Sequence, residues 1–511
     1  MEVSIEEHVA LEVLGIRIKG SVVTPDVIKK NPSIKFDKHP EQPEGISLLQ
    51  HVKNLLSRCL AGNKLSQGAP ADSDVVDEDL FLTPLIKAGK LKEAREKSED
   101  HMDRFRVQSS IKYDLKSHSG YLTVDEANNA NVFFWFFPAQ ESPQTASVIL
   151  WANEASGYSC MRAVFLENGP FFLDEKLRLH ERNHSWAKTH SMLYIDVPVG
   201  AGFSFTDKEE GYAKNKEDEA QELYEALKQF YTIFPEYHKR DLFIAGELLA
   251  VQHVPQMVEK IEAENEKNPE FQLNLKGIIF GSPIFDVAKQ TSFGQYFYDM
   301  NLIEEDQLKT FQMEEDKMHG LIREKKYPEA EKIATSLVVY PRSLYETFTG
   351  LTSPYNILQS EEPRELERFS KFIDSRAMHK YLHVGLHNFT LVNFKVHDKF
   401  SHETMSYDGK MLENLLNKGK YRILIYSAQF DAVSIHTGVT KAVEELNWNG
   451  QEEFLDADRK VWKVGKDVAG YVKKAGVLTY VMVRNSGRYI MMDNPEWGHD
   501  LIEIFTSGKD F

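Results

Sequence analysis

Asp241-Leu242-Phe243-Ile244-Ala245-Gly246-Glu247-Leu248-Leu249-Ala250-Val251 is the stretch that decides the architecture. Leu242 to Ala245 read as a short buried strand. Gly246 permits a sharp turn, and from Leu249 onward Val254, Met257, Val258 and Ile261 recur at helical spacing. Strand, tight turn and helix are the setting of a nucleophile elbow, in which a strained turn lifts a serine above the end of a sheet. Leu248 occupies the nucleophile position here. Leucine has neither a lone pair nor a transferable proton, so it cannot attack a carbonyl.

The same alternation extends on both sides. Ser119-Gly-Tyr-Leu-Thr-Val124 and Asn131-Val-Phe-Phe-Trp-Phe-Phe-Pro138 predict a β-hairpin, because both arms are rich in β-branched or aromatic residues. Residues 147–151, 191–196, 275–280, 421–426 and 478–483 read as buried strands. Residues 216–234 read as an amphipathic helix, with Ala220, Leu223, Tyr224, Leu227, Phe230 and Tyr231 on one face. Shorter helices are expected at 89–97 and 496–505. The fold class is therefore α/β, a mostly parallel sheet with helices on both faces. Between about 287 and 397 the pattern turns helical and charged, with candidate helices at 304–325 and 328–336, which predicts a cap inserted into the sheet domain. Residues 1–75 read as a poorly ordered extension with one helix at 46–60, and 76–511 as the domain.

The 511 residues carry a formal net charge of −17, which argues against nucleic acid or an anionic membrane as partner. No apolar run is long enough to span a bilayer. The N-terminus Met-Glu-Val-Ser-Ile-Glu-Glu-His lacks the basic and apolar regions of a secretory signal, and the two cysteines, Cys59 and Cys160, are not expected to pair. Both features favour the cytoplasm. The sequons Asn183-His-Ser and Asn388-Phe-Thr point the other way, toward a secreted or lysosomal protein whose N-terminus is incomplete. His253 and His379 show no metal-ligand spacing and read as surface or packed histidines. There is no phosphate loop and no dinucleotide fingerprint, so no cofactor or metal is expected.

From Phe81 to Phe511 the chain resembles the serine carboxypeptidases, and within them the vitellogenic carboxypeptidase-like branch. The family reads Gly-Glu-Ser-Tyr-Ala-Gly where this chain reads Gly246-Glu-Leu-Leu-Ala-Val251. Other blocks match in order: Glu167-Asn-Gly-Pro170, Asp196-Val-Pro-Val-Gly-Ala-Gly-Phe-Ser204, His383-Val-Gly385 and Ile425-Tyr-Ser-Ala-Gln-Phe-Asp431. The resemblance implies an α/β-hydrolase fold with a triad in the order nucleophile, acid, histidine. It assigns the acid to Asp431. It assigns the base to the residue after Gly487, which is Arg488, a side chain that stays protonated and cannot serve as a base. The family's oxyanion loop Trp-x-Asn/Gln-Gly-Gly-Pro-Gly corresponds to Trp151-Ala-Asn-Glu-Ala-Ser-Gly157, so Glu154 and Ala155 replace the glycine pair, with Leu249 as the third oxyanion-hole position. Trp151, Asn153 and Glu247 stand where the family recognises the substrate's terminal carboxylate, or else remain as buried structural residues.

These departures predict a catalytically inactive homologue that binds a peptide C-terminus or a protein partner, with a homodimer admitted by the wider family. The alternatives are a hydrolase that still releases C-terminal residues, with Ser156, Ser159 and Ser204 as the hydroxyls near the site, and a structural or storage protein. Arg488 is expected to form a buried ion pair with Asp431, shared with Glu154 or Glu247, or else to bind an anionic ligand.

Overall fold

The computed structural model describes residues 78–101, 115–339 and 341–511. The helix expected at 46–60, with the rest of the extension 1–75, lies outside the described residues.

One sheet of eleven strands organises the body, in the order β1-β2-β3-β7-β4-β8-β9-β10-β13-β12-β11. Its strands are β1 (Glu99–His101), β2 (Lys116–Asp125), β3 (Ala130–Phe137), β4 (Val148–Trp151), β7 (Ser191–Ile195), β8 (Leu242–Glu247), β9 (Leu275–Gly281), β10 (Arg422–Ala428), β11 (Lys460–Val464), β12 (Asp467–Ala475) and β13 (Leu478–Val483). Two short strands, β5 (Phe171–Leu173) and β6 (Leu179–Glu181), form a separate ribbon. The central run from β7 to β13 is parallel. The expected hairpin is the β2–β3 antiparallel pair. Antiparallel pairs extend both edges, so the sheet is mixed. β11 and β12 were not foreseen, because Lys460, Lys463, Lys473 and Lys474 break the apolar pattern of an edge hairpin that is covered on one face only.

The buried strands have period two across two cores. Val132, Phe134 and Phe136 of β3 face one apolar cluster, and Phe133, Trp135 and Phe137 face the other. β8 divides in the same way, with Leu242 and Ile244 on the first face and Phe243 and Ala245 on the second. The helices Lys216–Ile233 and Ala250–Lys267 cover the first face. Asn215 caps the former by accepting from the Asp218 N–H. Met161–Leu166, Arg376–Leu382 and Pro495–Ser507 contribute Phe165, Met378 and Leu501 to the second. Near the N-terminal end of the body, Leu91–Ser98 forms at the expected place. Thr83–Lys87 adds a turn of helix whose start is compatible with Pro84.

The connection from β9 to β10 is helical, as expected. Glu305–Arg323 and Tyr327–Val338 bury Phe311 and Leu337 in a third cluster with Phe297 and Tyr345. Helices continue beyond residue 397, through Phe394–Thr404 and Lys410–Lys418.

At the elbow, β8 ends at Glu247, Leu248 has φ of +53°, and the helix starts at Ala250. A left-handed Leu is strained by roughly 1–2 kcal/mol. It is held there because its N–H donates to Gly281 O (3.0 Å) and its carbonyl accepts from Ile284 N–H (2.9 Å). Gly246 admits the return of the helix, since a Cβ there would lie 2.5 Å from Ala250 Cβ. Gly246→Ala is therefore expected to cost about 1–3 kcal/mol by overpacking. Adding Ala250→Gly should recover part of the loss in a denaturant titration, whereas an unchanged midpoint for Gly246→Ala would show that the turn is not close-packed.

Candidate functional site

Leu248, Asp431 and Arg488 follow the C-terminal ends of β8, β10 and β13. β10 and β13 are adjacent strands, and β9 separates β10 from β8. Open parallel sheets place their sites at these strand ends. Leu248 is half-buried, while Asp431 and Arg488 are fully buried.

The expected ion pair is present. Arg488 Nε donates to Asp431 Oδ2 at 3.4 Å, and Asp431 Oδ1 accepts from the N–H groups of Val433 (2.8 Å) and Ser434 (3.0 Å). Burial is the largest single influence on Arg488 and would lower its pKa, but Asp431, followed by Tyr489, Tyr355 and Glu154, together outweigh it and the net shift is upward. A cap segment fixes the loop that carries Arg488. The Arg488 N–H donates to Tyr355 O (2.8 Å), and Asp493 Oδ2 accepts from Gly487 N–H (2.7 Å) and Asn356 Nδ2 (3.1 Å). Only a glycine fits at 487, where a Cβ would meet Tyr355 O at 2.3 Å.

The sharing expected of Arg488 is corrected by Arg162, which sequence reasoning missed. Glu154 turns to Arg162 and is held through both oxygens, at 3.2 and 2.5 Å, and Arg162 also reaches Glu167 Oε1 at 3.1 Å. Burial pushes the Glu154 carboxyl upward, but Arg162 and then Arg488 reverse this, leaving it below its ordinary range. Glu154 is thus a paired anion. The two guanidinium groups are bridged by aromatic rings: Arg162 lies 5.1 Å over Tyr489, Arg488 lies 4.8 Å over Tyr355, and the two rings are 5.3 Å apart. The signal for Arg162 was its isolation in the otherwise apolar helix Met161-Arg-Ala-Val-Phe-Leu166, every residue of which is buried.

The residues expected at the oxyanion hole bond one another and their own loop. The Leu249 N–H donates to Glu154 O at 3.0 Å, and Ala155 O accepts from Tyr158 N–H (3.0 Å) and Asn153 Nδ2 (2.8 Å). Asn153 Nδ2 also lies within hydrogen-bond distance of Tyr158 O and Val197 O, so this side chain braces its own loop. Trp151 packs edge-to-face on Trp186. Glu247 Oε1 accepts from Tyr426 OH at 2.9 Å, while the buried Glu247 Oε2 and Glu167 Oε2 have no protein hydrogen bond. Two cavities of about 10 Å³ touch both carboxyls, and a third of about 20 Å³ touches Ala155 and Leu249. A water needs about 10–15 Å³, so the two smaller cavities have room for no more than one water each and the third for one or two.

The remaining candidates are distributed as follows. His253 and His379 are packed. His253 bonds Glu219 and Asn153 O, and His379 bonds Asp374 and Gly385 O. Cys160 is a buried free thiol. Asn183 and Asn388 are exposed on loops far in sequence from the site loops. Among the described residues no group of His, Cys, Asp and Glu could hold a metal ion, and no helix is long and apolar enough to cross a membrane.

Residues 108–508 match the serine carboxypeptidase family. The chain belongs to that family. Among its relatives it is 36% identical over 437 residues to the venom serine carboxypeptidase of Apis mellifera, covering 84% of this chain and 91% of that one. It is 36% identical to the probable serine carboxypeptidase CPVL of Mus musculus (84% and 89% covered), and 32% identical to the vitellogenic carboxypeptidase of Aedes aegypti (84% and 90% covered). The prohormone-processing carboxypeptidase Kex1 of Saccharomyces cerevisiae superposes with a TM-score of 0.67 at 23% identity, over 77% of this chain and 92% of that one. This likeness, together with the family match, establishes the serine carboxypeptidase type of α/β-hydrolase fold.

Two consequences can be measured. Arg488→Ala leaves Asp431 buried without its cation and should cost about 3–5 kcal/mol, read as a lower melting temperature. An unchanged melting temperature would mean that the pair carries no stability. Glu247 is pushed well above the ordinary carboxyl range by burial, and next by the charge of Glu167, against weaker opposition from Tyr426, Arg488 and Arg162. A carboxyl whose folded pKa is raised lends stability that is complete below its unfolded pKa and is lost as pH rises through the folded value. Stability should therefore fall as pH rises above the ordinary carboxyl range, and Glu247→Gln should flatten that fall. An identical slope in the variant would remove Glu247 as its source.

Proposed function

We propose that this member of the serine carboxypeptidase family does not hydrolyse peptides and acts by binding a peptide or protein partner. The observation that carries the reading is the pairing at the strand ends. The elbow turn presents Leu248, and the base position holds a guanidinium bonded to the acid, so neither a nucleophile nor a proton acceptor is available there. The bond from Leu249 N–H to Glu154 O supports the same reading, because a donor needed by a tetrahedral oxyanion is already in use.

The alternative of an active hydrolase needs another nucleophile. Ser156 Oγ donates to Glu219 (2.7 Å), Ser159 Oγ to Asp196 (2.8 Å) and Ser204 Oγ to Asp196 O (2.6 Å). None of these hydroxyls bonds a histidine, so none has the usual activating base. The one-water cavities beside Trp151, Asn153 and Glu247 favour a partner engaged on the outer surface over a peptide terminus seated at the old carboxylate position.

The test is hydrolysis of a panel of blocked dipeptides from acidic to neutral pH. The native chain should give no turnover. The double variant Leu248→Ser with Arg488→His should stay inactive until Glu154→Gly and Ala155→Gly are added, since loss of a single oxyanion donor typically costs about 10²–10³ in rate. Turnover by the native chain that survives affinity repurification would overturn the reading.

A further inference from the structure

The end of the sheet opposite Leu248 carries a cavity of about 750 Å³. The start of β2, the end of β3 and the start of β7 meet there through antiparallel pairing, while β7 runs parallel to β4 and β4 to β8. The volume is that of a pocket for an organic ligand, whereas the cavities beside Leu249 and Glu247 have room for one or two waters. Part of the lining is apolar, from Leu115, Pro138, Ala139 and Pro143. The rest carries charge. Lys188 is answered by Glu141 at 3.7 Å, and Lys116 by Glu99 at 3.1 Å. Arg182 has no such answer. Its guanidinium donates to the carbonyls of Phe165 (2.7 Å), Phe171 (3.1 Å) and Met491 (3.2 Å), and no carboxylate among the described residues pairs with it. Carbonyls orient a guanidinium without cancelling its charge. Burial accordingly lowers the Arg182 pKa to about 10, against opposition from Tyr194 and Glu167. Two donors of the lining residues are also unused, because Arg182 Nε and Gln140 Nε2 are buried without an acceptor. Buried donors are normally satisfied, so each of these calls for a partner. Glu141 and Glu181 in the same lining would repel an anion of more than one charge.

We propose that this cavity binds an amphipathic organic anion with a single carboxylate, its apolar body against Leu115, Pro138, Ala139 and Pro143 and its carboxylate toward Arg182 and the Gln140 amide. A carboxylate supplies what the lining lacks, which is one negative charge and acceptor oxygens. Hydrogen bonds to an ionised acceptor are the stronger kind. Gln140 is half-buried on a flexible stem, so a turn of its amide brings Nε2 to the ligand, while the Arg182 charge acts through space. The four apolar residues give the tail a dry surface. The site lies at the other end of the sheet from Leu248, Asp431 and Arg488, so it is independent of whether the chain hydrolyses or binds peptides.

The test is isothermal titration of the full chain with octanoate as the probe, beside octanol, which lacks the charge, and acetate, which lacks the tail. Octanoate should bind, and octanol and acetate should each bind at least about tenfold more weakly. Gln140→Leu should weaken octanoate about tenfold, the effect of losing one hydrogen bond to a charged group. Arg182→Gln should weaken it further. Lys474→Gln, on β12 near the far edge of the sheet, should leave it unchanged. Should Arg182→Gln not fold, the Gln140→Leu titration and the comparison of octanoate with octanol still decide the matter. The proposal is overturned if the native chain does not bind octanoate, if octanol binds as tightly, if Gln140→Leu leaves the affinity unchanged, or if Lys474→Gln weakens binding as much as Gln140→Leu does.

Discussion

A guanidinium that is 2% exposed has to be neutralised where it stands, and much of this site is arranged around that requirement. Arg488 sits after β13 with Asp431 opposite it, after β10. A second buried guanidinium, Arg162, answers Glu154 and Glu167. The rings of Tyr355 and Tyr489 separate the two cations and give each a face to rest on. Glu247, left without a cation of its own, takes the hydroxyl of Tyr426 and is driven toward the neutral acid by burial. Charges that would each be costly alone are tolerable together, and the room left between them is that of single waters.

The frame that holds these groups is indifferent to their chemistry. Strand order brings the ends of β8, β10 and β13 close together, and the close approach of Gly246 and Ala250 sets the turn after β8. Leu248 adopts the left-handed conformation because its backbone is bonded on both sides, to Gly281 and to Ile284. A serine would be held in the same way. Fold and reaction are separable here because the first rests on backbone bonds and two apolar cores, and the second on a few side chains at the rim.

The parts of the fold that were legible in the sequence are those where periodicity is strong. β3 alternates between two apolar cores, so every position from Val132 to Phe137 is apolar, and 216–234 shows one apolar face. The edge hairpin β11–β12 was hidden because only one of its faces is covered and lysines occupy the rest. In the site, the pairing of Arg488 with Asp431 could be read from the resemblance, since it assigns both positions. The role of Arg162 could not. It depends on the loop from Trp151 to Gly157 folding back over the helix Met161–Leu166, and no spacing along the chain reveals that.

The residue types at the elbow, the base position and the oxyanion loop were therefore settled by sequence, because no conformation turns leucine into a nucleophile or arginine into a base. Which charge answers which was decided only by the tertiary structure. Glu154 is bound by Arg162 rather than Arg488, and Leu249 gives its N–H to Glu154 O, because ion pairs and hydrogen bonds depend on distances of about 3 Å that chain order does not carry.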